Sequence, residues 1–517
     1  MDRARQQTQQ LCMEQLHVQQ GNVRTQRPTG TVTCDRRQVN PQCSYMRENL
    51  RIPRMHLIST QVLFCHPTHS SFRIINQKIG VLNASSSTIM LRLTIGVFKT
   101  ALVVVFFTAG VLSVVFSQCV GLMVSLLLYG SFNSEISQAW ISHTKKSFIC
   151  VLTAVLSFAS RKPITIRLTS PNLDKDRLLT YTDGTISTVL AQHAVFIGNH
   201  QIYTDWAYVW WLTYTAKMAG FIYILLKAEL SKIPLLGFGM KTYDFIFLTR
   251  KWAVDKLTMA LHLSRIDANA RGKGPASGAV PDANGDWPKG NDPSRSWPYQ
   301  MLIFPEGTNL SANTRSKTEA YAAKVERTPF KHVLLPKTTG LRYTLLKLRG
   351  TVEEVYDLTI GYSGVRPDEY GQDIYGLWSV FLLGNSPEFV DIDIRVINIE
   401  DIPLGKLEYD DPEEEEKDKK IFEDWLFDVW QKKDNLMDKY YASGSFAQAH
   451  KQITARATTT LNMEFSDILQ TFAVPAILMI LARLLYVIYS IFYNPPACAV
   501  PVSVPDPSLD PSVIFGQ

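Results

Sequence analysis

Charged side chains are scarce in this sequence of 517 residues: they make up 19% of the chain, against roughly 25% in an average soluble protein. Hydrophobic residues reach 46%. The shortage of charge argues against a fully soluble chain and favours association with a membrane. The net charge of +6 is also too small and too scattered to indicate a partner nucleic acid, and no helix-turn-helix or zinc-finger pattern occurs.

Several catalytic and structural motifs are missing as well. The seven cysteines form no C-x-x-C pair and are odd in number, so we predict neither a disulfide framework nor a zinc site, but reduced thiols in a cytosol-facing protein. The sequence has no P-loop and no H-E-x-x-H metalloprotease motif. Residues 361–365 lack the second glycine of a G-x-S-x-G nucleophile elbow. Chemistry that needs a cofactor or a metal is therefore not predicted.

Two long apolar segments predict membrane helices. Residues 100–134 contain no charged side chain, and residues 468–493 are apolar apart from Arg483. Both exceed the roughly 20 residues of a membrane-spanning helix. Each fits a single span or a hairpin, and Gly110 and Gly121 are places where the first could break. A shorter apolar run, 148–158, is expected either in the membrane interface or packed on the catalytic domain.

The cations Lys145, Lys146, Arg161 and Lys162 follow the first apolar segment. By the positive-inside rule they place the rest of the chain in the cytosol. The Gln- and Arg-rich start of the chain has no sustained period and is expected to be disordered. The predicted division is a disordered extension 1–89, a membrane anchor region 90–162, a catalytic domain 163–405 with a loop insertion 267–298, a charged helical region 406–465, a membrane helix or hairpin 466–494 and a disordered tail 495–517.

Short apolar runs alternate with amphipathic ones between about 160 and 400, which predicts an α/β domain. The runs predicted as strands are 194–197, 301–304, 333–335 and 356–362. Residues 389–397, FVDIDIRVI, alternate apolar and charged side chains and predict a half-buried strand near a sheet edge. The acidic run 410–420 predicts the start of a helix that continues through 421–441.

The segment NHQIYTDW places His200 and Asp205 five positions apart, directly after an apolar strand. A turn leading into a helix can bring that carboxylate to the imidazole. Asp205 would then hold the Nδ1 proton and leave Nε2 free to take a proton from an alcohol. On its own this spacing is also common in helix caps and surface pairs.

Three further segments offer ligand-binding groups. Arg250 follows an apolar run and carries a planar fork that suits phosphate oxygens. LIFPEGTNLS ends a strand at a turn with a flexible glycine, a hydroxyl and a carboxylate, and HVLLPKTTGLR places a proline after another predicted strand. The candidate substrate-binding residues are Arg250, Glu306, Gly307, Thr308, Asn309, Pro336 and Lys337.

Together and in this order, the four segments resemble the motif blocks of the glycerolipid acyltransferase family, which includes the 1-acylglycerol-3-phosphate acyltransferases. The blocks lie at His200 and Asp205, 245–250, 304–308 and 335–336, and the resemblance covers about 140–400. KAELSKIPLLGFGMKTYDFIFLTRKW and FPEGTNLSANTRSKTEAYA are similar to the branch that holds lysocardiolipin and lysophosphatidylinositol acyltransferases. The resemblance implies a mixed sheet flanked by helices, with membrane helices at both ends.

The resemblance also implies an activity: acyl transfer from acyl-CoA to the free hydroxyl of a lysophospholipid, with His200 as base and Asp205 as its partner. Many lysophosphatidic acid enzymes of the family carry arginine where this sequence has Asn309, which favours lysophosphatidylinositol or lysocardiolipin as acceptor. The alternatives are acylation of lysophosphatidic acid, transacylation without CoA, and an inactive lipid-binding scaffold. The expected location is the endoplasmic reticulum membrane with the catalytic domain facing the cytosol, and the alternative is a mitochondrial membrane.

Overall fold

The computed structural model describes residues 69–131 and 134–493, with side chains from Thr94 onward. The predicted tail 495–517 and most of the predicted disordered extension lie outside the described residues. The chain divides into two compact units, 1–81 and 82–517. All of the packing described below lies within the second unit.

The described residues form one large mixed sheet and a set of helices, the first of which begins ahead of residue 82. The helices are α1 His69–Tyr129, α2 Glu135–Ala159, α3 Asp205–Thr215, α4 Leu236–Thr242, α5 Trp252–Ala270, α6 Ala312–Lys324, α7 Thr338–Leu348, α8 Gly371–Ile374, α9 Leu377–Phe381, α10 Pro412–Ser443, α11 Phe446–Ala449, α12 Phe465–Thr471 and α13 Ala473–Tyr493. The strands are β1 Thr165–Ser170, β2 Leu178–Thr180, β3 Ile186–Thr188, β4 His193–Gly198, β5 Ile222–Lys227, β6 Ile246–Leu248, β7 Tyr299–Ile303, β8 Glu354–Tyr362, β9 Phe389–Asn398 and β10 Ala455–Thr460.

Eight strands form the large sheet in the order β10-β1-β9-β8-β4-β7-β5-β6. β4 runs parallel to both neighbours, β7 and β8, so the carboxyl ends of the three strands lie at one edge. Successive side chains point to opposite faces, and the buried residues divide accordingly: Phe196 belongs to one hydrophobic core and Val195 to the other. Both faces are therefore covered, as the predicted α/β class requires.

The predicted strands 194–197, 301–304 and 356–362 correspond to β4, β7 and β8. The predicted strand at 333–335 is wrong, because these residues are a buried loop. Its backbone finds side-chain partners in place of a neighbouring strand: Leu335 N–H donates to Thr318 Oγ1 at 3.2 Å, and the preceding His332 N–H donates to Asp434 at 2.6 Å. An apolar run can therefore be buried here without joining the sheet.

The prediction that β9 is half-buried near a sheet edge is also wrong. β9 is an interior strand between β1 and β8, and Asp391 and Asp393 are each only 1% exposed. Arg167 from β1 donates to Asp391 at 2.5 Å, and His450 pairs with Asp393 at 2.6 Å. The alternating charges therefore mark a face of the sheet where buried carboxylates meet basic partners.

Most of the first apolar segment, residues 100–129, lies within α1, which begins at His69, well before the predicted anchor at 90. The helix does not break at its glycines. A Cβ at Gly121 would lie 2.2 Å from Trp140 of α2, and one at Gly110 would lie 2.6 Å from Val151. The two glycines let α1 and α2 pack closely.

The shorter apolar run 148–158 packs on the catalytic domain, one of its two predicted locations. Ile149, Leu152 and Leu156 of α2 are buried in the same core as β4. Lys145, one of the four cations on which the positive-inside prediction rests, is 3% exposed and donates to the backbone oxygen of Ile222 at 2.9 Å. Arg161 and Lys162 remain exposed.

The predicted helix start at 410–420 is confirmed. Asp411 caps α10 by accepting from the N–H of Glu413, and the first turn holds three acidic residues, which suits the positive end of a helix dipole. Beyond α10, β10 pairs antiparallel with β1 along its full length. The sheet thus takes its edge strand from inside the segment 406–465, which was predicted to be a charged helical region.

Two helices of the described residues are long and apolar enough to cross a membrane: Thr94–Tyr129 within α1, and Ala473–Tyr493, which is α13. The second predicted segment, 468–493, therefore contains the end of a short helix, α12, and then one candidate span. The loop insertion 267–298 is mostly irregular, but α5 continues to Ala270 and Pro275–Ser277 is a buried 3-10 turn. Part of the predicted surface loop is consequently interior.

Candidate active site

The turn after β4 carries the candidate base. Asn199 is fully buried and holds this turn to β8 by two hydrogen bonds, donating to the oxygen of Ile360 at 2.9 Å and accepting from its N–H at 2.8 Å. Leu310 N–H donates to the oxygen of His200 at 2.8 Å. The turn is therefore fixed to its neighbours on both sides before α3 begins at Asp205.

His200 and Asp205 meet as the spacing predicts, with Nδ1 and Oδ2 separated by 2.7 Å. The Asp205 side chain is fully buried, whereas that of His200 is 19% exposed. Asp205 Oδ2 also accepts from the N–H groups of Gln201 and Ile202, at 2.6 and 3.1 Å. Nδ1 is therefore occupied, and Nε2 is the nitrogen left to accept a proton from a substrate.

The block FPEGT lies against the other side of His200. The Phe304 ring stacks on the imidazole with centroids 4.5 Å apart. Glu306 is 2% exposed: its Oε2 accepts from the His200 N–H, and its Oε1 accepts from Trp430 Nε1, both at 3.3 Å. Burial raises the pKa of Glu306 to about 8. Its carboxyl group thus supports the turn that carries His200 from within the protein, although the sequence predicted a substrate contact.

Gly307 provides the exposed surface of the same block. Its φ of +71° is readily adopted by glycine, and an added Cβ would lie 3.2 Å from Lys337 Nζ. Arg250 donates to the Gly307 oxygen at 3.2 Å from a backbone that also has positive φ, 68°. The structure therefore brings Arg250, Gly307 and Lys337 together, and neither cation forms an ion pair with a carboxylate of the described residues.

A third cation, Lys227 at the end of β5, was missed by sequence reasoning. Partial burial and the nearby Arg250 lower the pKa of Lys227, and the same two causes lower the pKa of Lys337. Repulsion between neighbouring cations is relieved when an anion binds among them. Lys227, Arg250 and Lys337, hereafter the cation cluster, therefore suit a phosphate group.

The remaining predicted binding residues are less exposed than Gly307. Thr308 is half-buried, and Pro336 is buried next to Lys337, whose N–H donates to the oxygen of Pro305 at 2.9 Å. Asn309 is 6% exposed, and its amide donates to Gln372 of α8. It fills a packed position rather than the surface near the cation cluster. Asn309-Leu310-Ser311 has the form of an N-glycosylation sequon, but the burial of Asn309 leaves no room for an attached sugar.

Two aromatic residues of the site also went unpredicted. Tyr362, the last residue of β8, donates its hydroxyl hydrogen to Asp205 Oδ1. Trp430 of α10 donates to Glu306. Neither position carries a local signal, since each partner lies more than a hundred residues away in the chain. Within the ranges that the structure describes, no three His, Cys, Asp or Glu side chains gather as a metal site would require.

Family profiles match most of this architecture. The profile described as "Acyltransferase" matches residues 181–363, which contain the His200–Asp205 pair and the cation cluster. The profile described as "Acyltransferase C-terminus" matches residues 381–466, which contain β9, α10 and β10. The second profile thus covers strands that belong to the same sheet as the first.

Individual relatives are similar over the same region. A 2-acyl-1-lysophosphatidylinositol acyltransferase of Saccharomyces cerevisiae is 43% identical over 348 residues, which cover 65% of this chain and 84% of the yeast protein. Lysophosphatidylinositol acyltransferase 10 of Caenorhabditis elegans is 32% identical, covering 48% of this chain and 53% of its own length. Lysocardiolipin acyltransferase 1 of Gallus gallus is 26% identical, with 49% and 55% covered.

Proposed function

Because this chain belongs to the acyltransferase family, we propose that it moves an acyl group from acyl-CoA to the free hydroxyl of lysophosphatidylinositol. The broader class is not in question: the chain is an enzyme, a lysophospholipid acyltransferase. An inactive lipid-binding scaffold is therefore set aside. What we propose beyond that class is the acyl donor, the headgroup of the acceptor and the roles of individual residues.

The observation that carries the proposed mechanism is the 2.7 Å contact between His200 Nδ1 and buried Asp205, with the imidazole itself still accessible. Asp205 fixes the tautomer, so Nε2 accepts the proton of the lysolipid hydroxyl as its oxygen attacks the thioester carbon. The carbon–sulfur bond of the collapsing tetrahedral intermediate breaks, the CoA sulfur takes the proton from Nε2, and CoA leaves as the thiol. The products are a phospholipid ester and free CoA.

The cation cluster supports a role in holding the phosphate of the lysolipid. Arg250 and Lys337 converge on Gly307, at the strand end next to the one that leads to His200. A phosphate bound there places the glycerol between the cations and the imidazole. Charge-assisted hydrogen bonds of this kind position a substrate for attack as well as binding it.

The headgroup assignment is supported by the named activities of the yeast and nematode relatives and by Asn309. An arginine at 309 would add a second guanidinium group that could bind a terminal phosphomonoester through two hydrogen bonds. Asn309 instead forms a hydrogen bond with Gln372 inside the protein. This arrangement suits a phosphodiester. Lysocardiolipin shares that chemistry and is the second acceptor we propose.

The test is acyl-CoA-dependent labelling in membranes that contain the full chain. Lysophosphatidylinositol, lysocardiolipin and lysophosphatidic acid are offered separately, each beside vector-only membranes. We expect label in phosphatidylinositol above all. Label mainly in phosphatidic acid would refute the headgroup assignment and leave the chemistry standing. Equal labelling when acyl-CoA is omitted would refute the proposed donor and indicate transacylation.

Arg250→Ala is expected to raise the KM for the lysophospholipid about 10- to 100-fold, the equivalent of a hydrogen bond to a charged group, with a smaller change in kcat. Arg250→Lys should recover part of the loss, since lysine restores the positive charge but not the paired hydrogen-bond donors of the guanidinium group. The matched control is Arg366→Ala, because the Arg366 side chain is 71% exposed and pairs only with neighbouring acids. An unchanged KM in Arg250→Ala would contradict phosphate binding by the cation cluster.

We also propose that the protein resides in the endoplasmic reticulum membrane with its sheet in the cytosol. Two candidate spans support membrane residence. Arg161 and Lys162, which remain exposed after α2, support the cytosolic side. Protease protection in sealed microsomes tests this: cleavage within the exposed part of the loop, 281–295, is expected without detergent. Cleavage of that part only after detergent is added would reverse the orientation.

A further inference from the structure

Asp205 receives one more hydrogen bond than fixing the imidazole requires. Its Oδ2 serves His200 and two backbone N–H groups, while its Oδ1 accepts only from the Tyr362 hydroxyl. Tyr362 is 3% exposed and closes β8 at the strand end beside the catalytic turn. Substrate therefore has no access to this hydroxyl, and any effect on the reaction must pass through Asp205.

We propose that Tyr362 is a positioning residue, whose hydroxyl holds the Asp205 carboxylate in the plane that orients His200 and shares its negative charge. This inference rests on the proposed catalytic role of the pair. A carboxylate has two equivalent oxygens and rotates about its Cβ–Cγ bond. A donor on Oδ1 fixes that rotation, so Oδ2 stays directed at Nδ1.

The surroundings keep Tyr362 in the donating form. Burial, and then the adjacent Asp205, raise the pKa of Tyr362 well above its usual range, so the hydroxyl retains its proton wherever the enzyme works. The titratable groups facing it are Asp205, the buried ring of Tyr208 with centroids 6.1 Å away, Tyr375 at 6.5 Å, and Tyr440 of α10. Asp205 is the only carboxylate within hydrogen-bond distance among the described residues.

Tyr362→Phe removes the hydroxyl and keeps the ring. We expect kcat to fall about 10-fold, as for one lost hydrogen bond to a charged group, with KM for both substrates unchanged. Without the hydrogen bond from Tyr362, the negative charge of Asp205 is less shared and stabilises a protonated imidazole more strongly. The acid limb of the pH–rate profile should therefore move to higher pH, so that the loss is larger at pH 6 than at pH 8.

Tyr208→Phe is the matched control. Tyr208 is equally buried and packs against Tyr362, but its hydroxyl faces Thr204 and forms no hydrogen bond with the Asp205 carboxylate. It should retain the kcat and the pH profile of the parent. In an Asp205→Asn background, Tyr362→Phe should cost little more, because the two residues act through one carboxylate.

Each outcome separates the inference from the function it rests on. If His200→Ala and Asp205→Asn lose activity while Tyr362→Phe matches Tyr208→Phe, the positioning role is overturned and the catalytic pair stands. If His200→Ala stays active, the catalytic assignment fails first. Should Tyr362→Phe lower the unfolding temperature, the shape of its residual pH profile decides, since loss of folded enzyme alone leaves that shape unchanged.

Discussion

His200→Ala is expected to lower acyl transfer by about 10²- to 10⁴-fold, the usual contribution of a positioned general base. The thioester and the bound lysolipid would remain in place, but no group would take the hydroxyl proton as the oxygen attacks. The measurement is kcat with saturating acyl-CoA and lysophosphatidylinositol in membranes adjusted to equal amounts of enzyme. Binding of the lysolipid should change little, because the cation cluster is intact.

His193→Ala provides the control for loss of a histidine paired with an acid. His193 opens β4, at the end opposite His200, and its Nδ1 lies 2.8 Å from Glu353. We expect this variant to keep activity within about 2-fold, as for a partly exposed ion pair remote from the chemistry. A retained rate in His200→Ala would remove the base from the mechanism and leave direct attack unexplained.

Lys433→Ala is expected to cost about 3–5 kcal/mol of stability, the usual result of removing one partner of a buried ion pair. Lys433 is fully buried and donates to Asp357 at 2.7 Å and to the Leu358 oxygen at 2.5 Å. Asp357 is 1% exposed, and its other cation, Arg395, lies 3.8 Å away. The loss is measured by thermal unfolding of the detergent-solubilised full chain.

Two further variants locate the origin of that loss. Lys433→Met combined with Asp357→Leu replaces the pair with apolar groups and should recover most of the stability, because no fully buried charge is left alone. Arg395 also loses Asp357, but its side chain is 23% exposed. Lys331→Ala removes an exposed lysine that pairs with Asp438, and should change stability by no more than about 1 kcal/mol. If Lys433→Ala unfolds at the parent temperature, the pair contributes nothing to stability.

The sequence predicted the His200–Asp205 pair because the pair is local. Five positions cover one turn and the start of a helix, so strand-to-helix geometry nearly determines the contact. Tyr362 and Trp430 are different: they reach their partners across 157 and 124 positions. Tyr362 reaches Asp205 because of the register between β8 and β4, and Trp430 reaches Glu306 because α10 packs over the sheet. A single sequence carries no signal for that register or for that packing.

The error at β9 has a related cause. Alternation of apolar and charged residues predicts a strand with one solvent-exposed face, since burial of a charge is costly in free energy. At Asp391 and Asp393 that cost is offset by Arg167 and His450, which come from distant segments. The same limit applies to Lys145, whose acceptor is a backbone oxygen of β5. Pattern rules consider only neighbouring residues, so they fail where a buried charge meets a partner from a distant part of the sequence.

The pairing of β1 has a consequence for the folding of the protein during its synthesis. Both neighbours of β1, β9 and β10, lie in the last third of the sequence. A ribosome delivers β1 long before either partner exists, so this strand emerges with both edges unpaired, a state prone to aggregation. The sheet can close only when translation is almost complete, and a chain that stops before β10 leaves β1 as its open edge. Premature termination before β10 should therefore produce a chain that chaperones hold and proteases remove.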